Sequence, residues 1–278
     1  MHATVVGLAL SAAALHAIWN ALLRSGADRL WSVTVMSFAT TMAAAFAALF
    51  LPFPLKGCWP YIAISAFLQI GYSIFLAEAY QHGELGQVYP IIRGSVPLLV
   101  TLAACLLASQ RLGRLGLIGV GMVSAGIASL ALEKTRVSMK GFLLALATAL
   151  FVASYITADG LGVRLAGNAQ SYTAWIFLAY GALMPLAFLL IRRRLTVDLM
   201  NPETVKAVSG GLVSVVSYGA MLAALSLGNL GPVSALRETS IVFSMLLGRL
   251  VLGESLTRRR VVACLVVAIG AACIGCEA

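Results

Sequence analysis

Two arginines lie at matching positions inside otherwise apolar stretches of the chain. Arg93 lies in the run 91–95 and Arg237 in the run 235–239, 144 positions further on. An arginine within a membrane span costs roughly 3 kcal/mol or more, so such residues usually face a protein interior or a wet cavity on a solute path. A guanidinium group also binds carboxylate and phosphate groups through paired hydrogen bonds. The pair therefore predicts a site for an anionic or zwitterionic solute between two internal repeats.

Other polar side chains recur at helical spacing and are candidates to line the same cavity. Residues three or four apart share one face of a helix, so His16, Trp19 and Asn20 form one stripe, and Tyr155 and Asp159 form its counterpart. Such groups can equally be structural, because hydrogen bonds between membrane helices contribute about 0.6 kcal/mol each. The predicted substrate-binding residues are Arg93, Arg237, Trp19, Asn20, His16, Tyr72, Tyr89, Tyr155, Tyr218 and Ser240.

Three acidic residues, Asp159, Glu78 and Glu238, are candidates to couple transport to protons. A carboxyl group held away from water can exchange its proton near neutral pH, whereas a neighbouring guanidinium keeps it ionised. Glu238 and Glu78 can therefore be ion-pair partners of arginine instead, which leaves Asp159 as the more exchangeable group. His16 is an alternative proton carrier.

The composition requires a lipid environment for most of the chain. Of its 278 residues, 61% are hydrophobic and only 10% are charged, whereas soluble domains have about 25% charged residues. The net charge of +9 lies mostly in short loops, where it favours contact with anionic lipid headgroups over nucleic acid. These features predict a multi-pass protein of the bacterial inner membrane, present as a monomer or homodimer.

Ten apolar runs are each near the roughly 20 residues that span a bilayer. They predict an all-α membrane protein with two five-helix repeats, 1–137 and 138–278, and an odd number of spans per repeat makes the second repeat inverted. The glycines of span 5 indicate close helix packing or a dimer face. The runs are 3–23, 31–52, 59–81, 86–108, 115–132, 141–160, 171–191, 207–227, 231–252 and 261–276.

The chain resembles the EamA-type transporters of the drug/metabolite transporter superfamily over essentially its whole length. The resemblance depends on the runs 16–20, 89–97, 235–240 and 252–256 and on the glycine-rich fifth span. It implies a central cavity lined by spans 1, 3, 4, 6, 8 and 9, and cytoplasmic termini. The loops after the odd-numbered spans carry most of the Lys and Arg outside the spans, which by the positive-inside rule implies the opposite orientation.

Several functions are compatible with these residues. The leading interpretation is a secondary transporter that exports a small polar metabolite, such as an amino acid or organic acid, by alternating access. A flippase or exchanger for a nucleotide- or lipid-linked sugar, and a broad drug efflux carrier, remain open. The chain contains no HExxH, GxSxG or P-loop motif, so we expect no enzyme activity, no metal site and no cofactor.

Overall fold

The protein is built from α-helices throughout the part of the chain that the structure describes. The computed structural model describes residues 2–24, 28–82, 85–133, 138–193, 195, 197–198, 200–252 and 257–276. Within these ranges there is no β-strand, and two single 3-10 turns lie at Lys56–Cys58 and Leu130–Glu133. The helices are α1 (Ala3–Arg24), α2 (Arg29–Ala48), α3 (Trp59–Gln81), α4 (Leu85–Leu107), α5 (Arg114–Ser129), α6 (Met139–Leu165), α7 (Ala169–Arg192), α8 (Pro202–Leu227), α9 (Leu230–Glu238), α10 (Ser240–Leu252) and α11 (Arg258–Cys276).

Eight of these helices, in the described part of the chain, are long and apolar enough to cross a bilayer: α1 to α4, α6 to α8 and α11. Helix α5 is apolar but has 16 residues. Helices α9 and α10 have 9 and 13 residues, and each is too short to span alone. The chain is therefore a multi-pass, all-helical membrane protein.

The predicted ninth span, 231–252, is not one continuous helix. It is interrupted at Thr239, where α9 ends and α10 begins. The backbone N–H of Thr239 donates to the carbonyl of Leu236 at 3.1 Å, and its hydroxyl donates to the same carbonyl at 2.6 Å. Both bonds reach three residues back, not four, which tightens the helix locally. The interruption follows directly after Arg237 and Glu238.

Polar residues cap the N-termini of several of the long helices. The side chains of Asp28, Ser138 and Asn168 accept hydrogen bonds from the backbone N–H groups of Trp31, Gly141 and Ser171. Such N-caps contribute about 1 kcal/mol each by satisfying donors that have no partner within the helix. Asn201 caps α8 in the same way and is followed by Pro202, a residue that is favoured in the first turn of a helix.

Helices from the first half of the chain pack mainly on helices from the second. Helix α1 packs on α8 and α3 on α6, while α2 packs on α7 and α5 on α11. Helix α4 packs on α6, and α1 packs correspondingly on α9 and α10. The pattern is unchanged when each helix is exchanged for its counterpart in the other half. The core of the protein therefore lies between the halves.

The glycines of α5 allow its close contact with α11. A Cβ placed at Gly119 would lie 2.6 Å from the carbonyl oxygen of Gly270, and one at Gly270 would lie 2.8 Å from the carbonyl oxygen of Gly119. The two backbones therefore meet where no side chain fits. The sequence predicted either close helix packing or a dimer face for these glycines, and this contact is close packing of two helices within the chain.

Candidate functional site

Four ionisable or polar side chains from three helices meet at the centre of the bundle. Nη1 of Arg93 (α4) donates to Oε1 of Glu238 (α9) at 3.0 Å. Nη2 of Arg93 contacts Nε2 of His16 (α1) at 2.6 Å, and Nη2 of Arg237 (α9) contacts Nδ1 of the same ring at 3.2 Å. All four residues are at most 7% exposed. The two predicted arginines thus lie on opposite sides of one imidazole.

His16 can accept a hydrogen bond from only one of the two arginines. A guanidinium group only donates, and a neutral imidazole has one acceptor nitrogen and one N–H. The shorter contact assigns Nε2 as the acceptor for Arg93. The ring proton then lies on Nδ1 and points at another donor, Arg237. The geometry therefore satisfies Arg93 and leaves Arg237 without an acceptor on the ring.

Arg237 is poorly paired on its other side as well. Its Nη1 lies 3.8 Å from Oε1 of Glu238, too far for a hydrogen bond. Both Nε and Nη1 of Arg237 are buried and have no hydrogen-bond partner among the described residues. A buried charged donor without a hydrogen-bond partner costs more free energy than the roughly 1–3 kcal/mol that is typical of a neutral group. The arrangement can thus accept one further anionic group at Arg237.

Aromatic rings surround the two guanidinium groups. The Tyr89 ring centroid lies 5.1 Å from Cζ of Arg93, and the Tyr218 ring centroid lies 6.0 Å from Cζ of Arg237. Tyr72 and Tyr155 lie with their ring centroids 6.0 Å apart. Of these four residues only Tyr155 is fully buried; the others are half-buried. Ring faces attract cations within about 6 Å, so the rings of Tyr89 and Tyr218 stabilise the guanidinium groups of Arg93 and Arg237.

A second polar cluster is centred on Asp159 of α6. Its carboxylate is completely buried and accepts hydrogen bonds from the hydroxyls of Tyr172 (2.9 Å) and Tyr218. In the described part of the chain, Asp159 has no ion pair with a basic residue. Tyr218 contacts Asp159 through its hydroxyl and Arg237 through its ring, so it connects the two clusters.

The remaining predicted residues lie at varying distances from this centre. Trp19 packs edge-on against the ring of His16, with centroids 4.9 Å apart. Asn20 donates to the carbonyl of His16 on its own helix, and Ser240 is buried at the start of α10. Glu78 lies apart, at the end of α3, where its partly exposed carboxylate is 3.6 Å from Nδ1 of His82.

Tyr172 was not among the predicted residues, although its hydroxyl donates to the carboxylate of Asp159. It lies in the first turn of α7 and is buried, and its sequence neighbours give no signal of the contact with α6. The interruption of span 9 was not predicted either, although the three-residue polar run from Glu238 to Ser240 marks the place where it occurs. A run of that kind is rare inside an apolar helix.

A buried, charged centre inside a bundle of membrane-spanning helices is typical of membrane transport proteins. Residues 139–276 match the model of the EamA-like transporter family. The chain belongs to this family, which is part of the drug/metabolite transporter superfamily. The resemblance noted in the sequence is thereby confirmed, and the members of this family are transporters, not enzymes.

The fold is also shared with a protein of known crystal structure. That protein superposes with a TM-score of 0.76, covering 97% of this chain and 94% of its own, at 21% sequence identity. At this identity the similarity shows the fold alone. Among curated proteins, none has a sequence that matches the chain significantly.

Proposed function

We propose that the protein is a secondary transporter that exports a small metabolite carrying a carboxylate or similar anionic group across the bacterial inner membrane. The observation that carries this proposal is the buried guanidinium of Arg237, whose Nε and Nη1 have no partner among the described residues. A charge buried in this way is stable only when an anion or ordered water completes its hydrogen bonds. A carboxylate fits that requirement best, because it can accept from two guanidinium nitrogens.

The two arginines have different roles in this proposal. Arg237 binds the substrate, since its donors are free to do so. Arg93 is already bonded to Glu238 and His16, so it positions the cluster and connects α4 to α9 and α1. The half-buried rings of Tyr72, Tyr89 and Tyr218, with Trp19, line the approach to Arg237.

The proposed transport cycle requires ten membrane crossings in two inverted repeats, 1–137 and 138–278. This arrangement is supported by the eight long helices, by α5, and by α9 and α10 acting together as one interrupted span. The exchange-symmetric packing of the two halves supports it further. Inverted repeats allow one architecture to adopt two states of similar energy, open to opposite sides.

Proton coupling, where transport uses it, is assigned to Asp159. Its carboxyl group is buried, lacks a basic partner in the described residues and is connected through Tyr218 to Arg237. Glu238 forms an ion pair with Arg93 at 3.0 Å, so it already has a partner within the cluster. Glu78 is more exposed and lies beside His82, so it is the weakest of the three candidates.

The experiment that tests the proposal is a ligand screen followed by transport. The purified protein is heated with a panel of amino acids, organic acids, nucleotide sugars and cationic drugs, and compounds that raise its melting temperature are then tested for uptake into proteoliposomes. Arg237→Gln is expected to abolish the stabilisation by acids. Arg114→Gln is the matched control, because Arg114 is an exposed arginine at the start of α5.

Two results would contradict the proposal. One is stabilisation and transport of cationic drugs alone, with no effect of any acid. The other is transport of an acid at an unchanged rate by the Arg237→Gln protein, since binding would then not depend on the free guanidinium.

A further inference from the structure

The central cluster contains one more positive than negative charge. Arg93 and Arg237 each carry a charge of +1, and Glu238 is the carboxylate that lies within ion-pair distance of both, at 3.0 Å and 3.8 Å. His16 is neutral, because a third positive charge between two guanidinium groups would be strongly repelled. Among the described residues no other acidic group contacts either arginine.

The excess charge is localised on Arg237. The nitrogens of Arg93 that face the cluster are occupied by Glu238 and His16, whereas Nε and Nη1 of Arg237 are unoccupied. Asp159 does not compensate this charge by contact, because its two oxygens accept from Tyr172 and Tyr218. The aromatic ring of Tyr218 lies between the carboxylate and Arg237.

Building on the proposed function, we infer that the site selects substrates by net charge and prefers organic acids with a single negative charge. A monoanion bound at Arg237 makes the cluster neutral, which is the arrangement that a low-dielectric interior favours. A dianion would leave one negative charge buried without a partner. A zwitterion would bring an ammonium group to a cluster whose one carboxylate is already engaged with Arg93.

Glu238 sets this preference, because it cancels the charge of one of the two arginines. Replacing it with glutamine would raise the cluster charge from +1 to +2 and so favour a dianion. Removing the whole ion pair, Arg93 and Glu238 together, would leave Arg237 alone with its charge of +1. The double variant should therefore keep the natural preference for a monoanion, although losing the ion pair is expected to lower its stability.

The test compares compounds that share a carbon skeleton and differ in charge. Glutarate, glutaramate and glutamine carry net charges of −2, −1 and 0, and succinate, succinamate and asparagine form a second set; terephthalate and terephthalamate provide a larger, aromatic pair. Dissociation constants are measured from ligand-dependent melting temperatures of the full-length protein. Variants are Glu238→Gln, the double variant Arg93→Gln/Glu238→Gln, and Glu203→Gln as a control, since Glu203 lies in the first turn of α8, where it pairs with Lys206.

The expected result is that the natural protein binds the monoanion of at least one set about tenfold or more tightly than the dianion or zwitterion, because an uncompensated buried charge costs several kcal/mol. Glu238→Gln should shift the ratio by about tenfold or more towards the dianion. The double variant and Glu203→Gln should keep the natural preference. If Glu238→Gln does not fold, the charge selection is tested with the double variant and with Arg237→Gln. The double variant should keep the preference for a monoanion, and Arg237→Gln should lose all preference for anions.

Three results would overturn the inference. Tighter binding of the dianion or zwitterion by the natural protein would refute the charge selection but leave an anion transporter intact. If Asp159→Asn shifts the binding ratio towards the dianion as much as Glu238→Gln does, Glu238 does not set the preference. Binding of no member of any set would overturn this inference and the proposed function together.

Discussion

The surroundings of Arg93 and Arg237 differ, although the two residues occupy matching positions in the two halves. Arg93 lies in the continuous helix α4, which contains Pro90 and Pro97, and it has two close partners from the other elements. Arg237 lies at the end of α9, next to the interruption at Thr239, and two of its nitrogens have no partner in the described residues. Matching sequence positions therefore do not have matching surroundings: Arg93 bonds to two side chains, whereas Arg237 keeps two unpaired nitrogens among the described residues.

The helices that carry the two arginines also differ in continuity. Pro97 has no N–H to donate to the carbonyl of Arg93, yet α4 continues through it. At Thr239 the backbone and hydroxyl both bond to Leu236, and the helix ends. The backbone N–H that Pro97 lacks therefore does not end α4, whereas the helix does end where the N–H and the hydroxyl of Thr239 both bond to the carbonyl of Leu236.

The largest expected effect is a difference in stability between variants of the two arginines. Arg93→Gln leaves the buried carboxylate of Glu238 with only the more distant Arg237, so the protein should be destabilised by about 3 to 5 kcal/mol. Arg237→Gln removes a guanidinium that is largely unpaired, and should change stability much less. Thermal unfolding of both variants in the same detergent checks this. Equal losses would contradict the difference drawn between the two sites.

The next largest effect is a difference in ligand affinity between variants of Arg237 and Arg93. Arg237→Lys keeps the charge but loses the planar group, so the affinity for a transported acid should fall by about tenfold or more. Arg93→Lys should affect affinity less, because Arg93 does not contact the substrate in this proposal. Titration of each variant with the best ligand from the screen measures both values. If both variants bind and transport the acid normally, anion binding by arginine is wrong.

A smaller effect distinguishes the tyrosines beside each arginine. Tyr218→Phe keeps the ring near Arg237 but removes a hydrogen bond to the buried Asp159, which should cost about 1 to 3 kcal/mol because the bond involves a charged group. Tyr89→Phe keeps its ring near Arg93 and leaves the hydrogen bonds of Asp159 intact, so we expect a smaller loss. Unfolding temperature and pH-gradient-driven uptake are measured together. A loss of gradient dependence in Tyr218→Phe alone would support Asp159 as the coupling group.

The smallest effect concerns the interruption itself. Thr239→Val keeps the shape of the side chain and removes the hydroxyl that bonds to Leu236, so stability should change by about 1 kcal/mol. The transport rate should fall more than binding does, if α9 and α10 move as separate segments. Thr101→Val, in which a hydroxyl bonded to Pro97 is removed from continuous α4, is the matched control. Equal effects of the two variants on turnover would argue against a hinge at Thr239.

Much of this architecture could be predicted from local pattern. The apolar runs predicted the long helices because a bilayer demands about 20 apolar residues per span. The correspondence between 93 and 237 indicated that the arginines would be related, and the structure places both on His16. The interruption at Thr239 could not be derived, because hydropathy averages over a window longer than one turn.

Specific pairing was less predictable because it depends on contacts between distant segments. Two carboxylates were possible partners for Arg93, and the nearer one in sequence, Glu78, is instead beside His82. Tyr172 carries no signal of its contact with Asp159, since helix α7 is apolar and its rotation relative to α6 is fixed by packing. The difference between Arg93 and Arg237 arises in the same way, from neighbours that a repeat does not duplicate.

The ion pair between Arg93 and Glu238 also has a consequence for biogenesis. Its two members are 145 positions apart, so a ribosome adding about 5 to 20 residues per second needs roughly 7 to 30 s to reach the second after the first. During that interval α4 enters the membrane with a guanidinium that has no carboxylate. The nascent chain must therefore keep Arg93 near the lipid headgroups or within the insertion machinery until the second half is made, and a delay in translation between the two residues would prolong the most vulnerable stage of assembly.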